Sequence, residues 1–263
     1  MSADVGTLDG SVAVVTGAAG GLGGAIVDAL LRAGATPVLL DVAGDALEDA
    51  ARAIEREQGQ RPGTIPCDVT DPAAIEDAAA WVERRHGRCD VLVNNAAILE
   101  RSPLEEHPVD LWDRVLAVNV RGYFLCTQAF GRLMIAAGSG SIVNVASLAG
   151  ESPSFGNGAY CASKAGVLAL TRQTAVEWGP RGIRANAVSP SFMRTPMMAG
   201  ASPEFEQQRT HNVPLGRIAE TSEVAGAVVF LAGPGASYLN GVNVPVDGAL
   251  AQARAAGWDG PAR

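Results

Sequence analysis

The sequence predicts an α/β fold, a doubly wound parallel sheet with helices on both faces. Short apolar, β-branched runs alternate along the chain with longer segments of helical periodicity, a pattern typical of crossover units in a parallel sheet. Because such crossovers are almost always right-handed, helices must cover both faces. The 263 residues contain no internal linker, repeat or low-complexity segment. We therefore expect a single domain over residues 1–263.

The first elements set the pattern. Residues 12–15 form a short β-branched run, which indicates a strand buried on both faces. Apolar residues then recur at helical spacing over 22–32, and Gly34 ends that helix. A second strand is predicted at residues 37–40, closed by Asp41.

The remaining elements follow the same alternation. We predict helices at about 43–58, 72–86, 108–137, 158–178 and 221–232, and strands at 63–67, 91–93, 141–145, 183–188 and 242–246. Residues 191–216 lack a clear period, which predicts a lid over the site. The C-terminal tail, residues 251–263, is expected to be frayed.

Composition excludes several classes of function. The net charge is -8 and no block of Lys or Arg stands out, which argues against binding to nucleic acid or an anionic membrane. No apolar run approaches the roughly 20 residues of a membrane span, and residues 1–11 lack the apolar core of a signal peptide. The four cysteines and three histidines have no metal-ligand spacing. We expect a cytoplasmic protein without metal that acts on a small molecule.

A glycine-rich loop at residues 16–23 lies between the first predicted strand and the first helix. Glycines allow the backbone to turn tightly and approach a pyrophosphate, and the helix N-terminus supplies free N–H groups. This position in the chain indicates a dinucleotide site.

Asp41 lies 18 residues beyond Gly23, at the end of the next strand. A carboxylate there accepts hydrogen bonds from the adenosine ribose and repels a 2′-phosphate, and loop residues 18–20 offer no Arg or Lys. The sequence therefore predicts NAD as the cofactor rather than NADP. Asp41 could also cap the following helix.

Tyr160 and Lys164 are spaced i, i+4, so they share a face of the helix predicted from residue 158. Ser147 follows the predicted strand 141–145, at the edge where open parallel sheets bind their ligands. A serine and a tyrosine placed this way could both reach a carbonyl oxygen.

These features together resemble the short-chain dehydrogenase/reductase family, in its branch of about 250 residues with a Rossmann-like fold. The matching motifs run in family order along the chain: the loop 16–23, Asp68-Val69, Asn94-Asn95-Ala96, Asn119, Ser147, Tyr160 to Lys164, and Pro190 with Thr195. Two positions depart from the pattern, because Ala97 and Ser191 stand where the family usually has glycine.

The resemblance implies four catalytic residues. Tyr160 would be the general acid/base, and Ser147 would hold and polarise the substrate oxygen. Lys164 would bind the nicotinamide ribose and lower the pKa of Tyr160. Asn119 would anchor a water that continues the proton relay.

The resemblance also implies a set of cofactor-binding residues, in which Asp68 and Val69 flank the adenine, Asn95 lies under the ribose, and Met193 and Thr195 hold the carboxamide. The whole set is Gly17, Gly21, Leu22, Gly23, Asp41, Asp68, Val69, Asn95, Tyr160, Lys164, Met193 and Thr195. For Asn94, a structural bridge between strands is favoured over cofactor contact.

The residues expected to line the substrate pocket are mostly apolar. They are Leu99, Ser147, Ala149, Glu151, Phe155, Asn157, Phe192, Met197 and Met198. No Arg or Lys obviously pairs a substrate carboxylate or phosphate, although Arg194 lies on the predicted lid. This predicts a neutral secondary alcohol or ketone, alicyclic or aromatic.

Two other functions are weighed against this one. A 3-oxoacyl thioester reductase of the fatty-acid or polyketide kind is disfavoured by Asp41, because those enzymes mostly prefer NADP. A cofactor-sensing protein without turnover usually lacks the tyrosine or lysine, and both are present here. By the same resemblance we expect a homo-oligomer, a tetramer or dimer built through the helices at 108–137 and 158–178.

Overall fold

Seven parallel strands form the central sheet of the chain. The computed structural model describes residues 7–195, 207 and 209–257. The nine strands of the described residues, seven of which form this sheet, are β1 Val12–Thr16, β2 Thr36–Asp41, β3 Gly63–Pro66, β4 Val91–Asn94, β5 Gly140–Val145, β6 Ile183–Pro190, β7 Met193–Arg194, β8 Ala219–Glu220 and β9 Asn243–Val246. The sheet order is β3-β2-β1-β4-β5-β6-β9, and β7 pairs separately with β8.

The described helices connect these strands and confirm the predicted alternation. They are α1 Gly21–Arg32, α2 Gly44–Gln58, α3 Pro72–His86, α4 Val109–Leu116, α5 Tyr123–Ala137, α6 Gly158–Trp178, α7 Thr221–Ala232 and α8 Leu250–Ala255. The single helical stretch predicted at 108–137 is α4 and α5 joined by a π-helical segment, Ala117–Gly122.

The core lies in two layers, one on each face of the sheet. Side chains of β1 alternate between them, with Ala13 and Val15 on one side and Val12 and Val14 on the other. The first layer packs against α1, α2 and α7, and the second against α3 and α5. A strand apolar at every position is therefore explained by burial on both faces.

A ladder of buried polar side chains crosses the sheet between β4 and β5. Asn94 and Asn144 are register partners, and the Asn94 amide nitrogen donates to Asn144 Oδ1 at 2.8 Å and to Thr127 Oγ1 at 3.1 Å. Asn144 in turn donates to Thr171 Oγ1 on α6 at 2.9 Å. The structural role favoured for Asn94 is confirmed.

The region predicted as a lid contains some regular structure. Its described residues include β7 and a helical turn at 209–211, and Val213 is buried against Leu148 and Leu250. Residues 196–206, with Met197 and Met198, lie outside the described part. The lid function itself stays a prediction.

The expectation of a frayed tail is wrong for residues 251–255, which belong to α8. Leu250 and Ala253, three residues apart, turn one face of this helix into the core. The Asp247 carboxylate accepts hydrogen bonds from the N–H groups of Ala249 and Ala251 at the start of the helix. Burial and capping together explain the order. Residues 258–263 lie outside the described part.

In the part of the chain that the structure describes, no helix is long and apolar enough to cross a membrane. Over the same residues, no group of three or more His, Cys, Asp or Glu side chains is arranged to hold a metal ion.

The polar ladder leads to a stability prediction. Asn144→Ala is expected to lower the free energy of unfolding by about 2–3 kcal/mol, because Asn94 and Thr171 each lose a buried hydrogen-bond partner. Urea unfolding measures the change. The matched control is Ser139→Ala at an exposed position, expected to stay within about 0.5 kcal/mol of the wild type. Equal stability of the two variants would contradict the role given to the ladder.

Candidate active site

The candidate site lies where the strand order reverses, between β1 and β4. The chain winds outward from β1 toward β3 on one side and from β4 toward β9 on the other. The carboxyl ends of the strands diverge there, which leaves a crevice. A cleft of about 900 Å³ occupies this position, and a second cavity of about 430 Å³ adjoins it. Ser147 and Tyr160 line both.

The glycine loop has the form that a bound pyrophosphate requires. Gly17 has a φ of +65°, and a Cβ there would lie 2.8 Å from the Ala96 Cα. A Cβ on Gly23 would lie 2.0 Å from the Gly17 carbonyl oxygen. Gly21 also has positive φ, at +57°. Side chains at these positions would disrupt the cradle at the start of α1, so the loop fits a dinucleotide.

Asn95, the residue directly after β4, supports this loop. Its side-chain nitrogen donates to the carbonyl oxygens of Thr16 and Gly17, both at 3.0 Å, and its backbone N–H donates to Thr16 Oγ1. Asn95 also lines the cleft. The placement under a cofactor ribose, implied by resemblance, stays a prediction, while the hold on the loop is visible.

The Asp41 carboxylate binds two backbone N–H groups of the protein itself. The helix α2 begins after Ala43 without a side-chain cap, and contact of Asp41 with a ribose stays a prediction. One carboxylate oxygen accepts from the Ala19 N–H in the glycine loop at 3.0 Å, and the other accepts from Ala43 N–H before α2 at 3.0 Å. A carboxylate oxygen has more than one acceptor site, so both oxygens can still accept from a ligand hydroxyl. Asp41 lines the cleft together with Asp68 and Val69.

The other predicted cofactor residues also line this cleft. They are Gly17, Gly21, Leu22, Gly23, Tyr160, Lys164, Met193 and Thr195. The Asp68 carboxylate accepts from the Thr70 N–H and hydroxyl at 2.8 Å each, which fixes the turn that follows β3. Ala97 and Ser191, the two departures from the family pattern, line the cleft as well.

Lys164 is buried beneath Tyr160, with 1% of its surface exposed. Its Nζ donates to the Val145 carbonyl oxygen at 2.8 Å and to the Tyr123 hydroxyl at 3.2 Å. Burial lowers the pKa of Lys164 to about 7. It is also the only lysine in the sequence, and all the other strongly basic residues are arginines. Arginine stays protonated when buried, whereas lysine can lose its proton near neutral pH.

Tyr123 contacts the candidate site, and the sequence did not predict it. Its ring is 1% exposed, its hydroxyl donates to the Val145 carbonyl oxygen at 3.0 Å, and the same hydroxyl accepts from Lys164. Nothing in the motif spacing points to this residue, because the contact joins α5 to α6 across the end of β5.

The pKa of Tyr160 is raised above its usual value, chiefly because burial disfavours the phenolate. A hydrogen bond with the Ser147 side chain acts in the opposite direction. The Lys164 Nζ lies 5.7 Å from the centre of the Tyr160 ring. Burial therefore outweighs the hydrogen bond from Ser147, and a lowering of this pKa by Lys164 stays a prediction.

Asn119 lies in the π-helical segment and is fully buried. Its Oδ1 accepts from the Ile98 N–H, and its Nδ2 donates to the Ile98 carbonyl oxygen and to Ser163 Oγ, all within 3.0 Å. The side chain thus ties the segment after β4 to α6. It is not among the residues that line the cleft, and the role in a water relay stays a prediction.

Most of the described residues predicted to contact substrate line the smaller cavity. Leu99, Ser147, Ala149, Phe155, Asn157 and Phe192 line it. Glu151 does not, and instead accepts a hydrogen bond from the side chain of Asn243.

The cavity is also lined by basic residues, which the sequence did not single out as pocket residues. Arg101, Arg209 and Arg254 all line it. They come from three separate segments of the chain, so their convergence could not be read from local spacing.

Several known proteins are similar to this chain over most of its length. A family model described as enoyl-(acyl carrier protein) reductase matches residues 17–250. D-threitol dehydrogenase of Mycolicibacterium smegmatis is 40% identical over 92% of this chain and 93% of its own. Cis-4-hydroxycyclohexanecarboxylate dehydrogenase of Sinomonas cyclohexanicum is 44% identical over 90% of this chain and 95% of its own.

Among solved structures, a gluconate 5-dehydrogenase from Burkholderia cenocepacia, in complex with NADP and tartrate, superposes with a TM-score of 0.90. It is 33% identical and the match covers 96% of this chain and 99% of that one.

The burial of the single lysine can be tested directly by NMR. Protein labelled with [13C]lysine is expected to give one side-chain Cε signal with a titration midpoint near pH 7, against about 10.4 for an exposed lysine. Tyr123→Phe removes an acceptor that favours the charged ammonium, so the midpoint falls further. Tyr238→Phe, at a fully exposed ring, is the control and leaves it in place. A wild-type midpoint near 10 would contradict the assignment.

Proposed function

The chain belongs to the short-chain dehydrogenase/reductase family and is an alcohol dehydrogenase of that family, and from this premise we propose that it uses NAD to oxidise a small alicyclic secondary alcohol to its ketone. The names of the relatives, a threitol and a hydroxycyclohexanecarboxylate dehydrogenase, support a hydroxylated substrate of this size. The observation that carries the cofactor choice is the position of Asp41.

Asp41 presents a carboxylate in the adenosine end of the cleft, held by the N–H groups of Ala19 and Ala43. Among the described lining residues of this cleft the only basic side chain is Lys164, beside Tyr160 at its opposite end. A 2′-phosphate next to Asp41 would meet a like charge with no guanidinium to offset it, whereas ribose hydroxyls can donate to the carboxylate.

The chemistry of the proposed reaction divides between the cofactor and three side chains. Bound NAD⁺ would accept the hydride from the alcohol carbon. Ser147 would hold the alcohol oxygen, and the Tyr160 oxygen would take its proton. Two of the three Lys164 donors are used on Val145 and Tyr123, so one remains for a ligand hydroxyl beside Tyr160.

Placing a positive charge near the buried phenol is the energetic requirement of this scheme. Burial raises the pKa of Tyr160, and a general base works best with a pKa close to ambient pH. A protonated Lys164 favours the phenolate by Coulomb attraction in a site of low dielectric constant. The charge of Lys164 would then determine how easily Tyr160 is deprotonated.

The proposal includes a homo-oligomer, built through α4, α5 and α6, in the cytoplasm. Apolar side chains remain exposed on these helices, among them Val109, Phe124 and Val176. Exposed apolar residues on long helices favour burial against another copy. The four cysteines are free, which is typical of a reducing compartment.

Tyr160→Phe tests the proton-transfer role. Oxidation of a cyclic alcohol is expected to fall by about 10³-fold or more, because general acid–base catalysis typically contributes 10²- to 10⁴-fold. Binding of NADH, followed by its fluorescence, is expected to persist. Tyr238→Phe is the matched control with wild-type turnover. A Tyr160→Phe enzyme within tenfold of the wild type would refute the role.

Initial rates with NAD⁺ and NADP⁺ test the cofactor choice. We expect the wild type to prefer NAD⁺, and Asp41→Asn to raise the NADP⁺/NAD⁺ ratio of kcat/KM by about tenfold, because a like charge is removed. Asp49→Asn, an exposed carboxylate on α2, is the control. The same assay includes an acetoacetyl thioester with NADH and NADPH. A strong preference of the wild type for NADP(H), above all with the thioester, would contradict the proposal.

A further inference from the structure

We propose that the substrate carries a carboxylate, bound by Arg101, Arg209 and Arg254 in the same 430 Å³ cavity into which Ser147 and Tyr160 face. The inference deepens the proposed function, on which it rests, because it names the substrate class of that site. It replaces the neutral alcohol that the sequence alone predicted.

The first support is the charge of the cavity lining. Three arginines line it, and the described lining residues include no Asp or Glu. The chain as a whole is acidic, with 28 Asp and Glu against 20 Lys and Arg. The described lining of this small cavity has the opposite sign of charge, because it contains three arginines and no acidic residue. Such a lining attracts an anion.

The second support is the packing of Arg209. Its guanidinium carbon lies 4.1 Å above the centre of the Phe192 ring. Burial and the nearby positive charge of Arg101 both lower the pKa of Arg209, with burial the larger cause. Stacking on an aromatic face fixes the orientation of a guanidinium, whose planar fork of N–H groups matches the two oxygens of a carboxylate. An anion between Arg101 and Arg209 would relieve their mutual repulsion.

Arg254 adds a third positive charge from α8. Its Nη1 donates to the hydroxyl of Ser152 at 3.3 Å, a neutral partner that leaves the charge uncompensated by that contact. Substrate binding by Arg254 would explain why α8 is folded against the protein, with its Leu250 packed beside Val213 and Leu148. The tail helix thereby brings a basic residue to the substrate.

The same cavity also has a place for the hydroxyl group that reacts. Ser147 and Tyr160 line it as they line the nicotinamide end of the larger cleft. Asn157 is 9% exposed, and within the described residues its Oδ1 has no hydrogen-bond partner, so it can accept from a second hydroxyl. The cavity therefore suits a hydroxycarboxylate with the two functions on different atoms of a ring or short chain.

The binding test uses the enzyme with NADH and two unreactive probes of equal size, cyclohexanecarboxylate and cyclohexanecarboxamide. Calorimetry is expected to show the acid binding at least about tenfold more tightly, the size of one charge-assisted hydrogen bond. Arg209→Gln and Arg101→Gln are expected to remove most of this preference. Arg32→Gln, in a surface pair with Asp28 far along α1, is the control and retains it.

The kinetic test compares 4-hydroxycyclohexanecarboxylate with its primary amide as substrates with NAD⁺. We expect the acid/amide ratio of kcat/KM to exceed about 10 in the wild type and to fall about tenfold in Arg209→Gln and in Arg254→Gln. Circular dichroism of each variant verifies that it is folded. Arg209→Lys, which keeps the charge but loses the fork, is expected to recover part of the ratio.

The two tests separate the inference from the function beneath it. Equal binding of acid and amide, or a ratio that the arginine variants leave unchanged, overturns the inference even if cyclic alcohols are oxidised with NAD⁺. Tight, arginine-dependent binding of the acid without oxidation of either alcohol supports the carboxylate site and overturns the proposed function instead.

Discussion

The hydrogen bond from the Lys164 ammonium to the Val145 carbonyl oxygen joins α6 to the carboxyl end of β5, and the arrangement of the active site depends on it. Ser147 follows Val145 by two residues, and Tyr160 precedes Lys164 by one helical turn, so this contact brings both hydroxyls to the same opening. The Tyr123 hydroxyl on α5 forms hydrogen bonds with both the Lys164 ammonium and the Val145 carbonyl oxygen. A polar group buried this deeply is stable only when its donors are matched, which accounts for the two acceptors around Nζ.

Charge is distributed unevenly along the site. Carboxylates of Asp41 and Asp68 line the end of the cleft that begins at the glycine loop, and guanidinium groups line the adjoining cavity. Lys164 lies between these regions, buried, with a pKa near 7. The proposed cofactor would offer neutral ribose hydroxyls to the carboxylates, and the proposed acidic alcohol would meet guanidinium groups of opposite charge. Both proposed selectivities would thus depend on which charge lines each end of the site.

Much of the fold followed from the sequence because burial on both faces makes parallel strands apolar at every position. The glycine loop and Asp41 were predictable for a similar reason, since each constraint acts within a few residues. Tyr123 and the three arginines were not, because they contribute through contacts between segments far apart in the chain. The tail helix was missed since its burial depends on Val213, some forty residues earlier. The raised pKa of Tyr160 required the depth of its burial, which spacing does not give.

The lone lysine has a practical consequence for covalent chemistry on this protein. Reagents that acylate or form imines with primary amines find one side-chain target in the whole sequence, and that amine lies inside the cleft. Its lowered pKa makes it nucleophilic near neutral pH, while its burial restricts access to reagents shaped to enter the cleft beside Tyr160. An amine-directed reagent of that shape would label the cleft at Lys164. The chain cannot be conjugated through surface lysines, because its one lysine is buried.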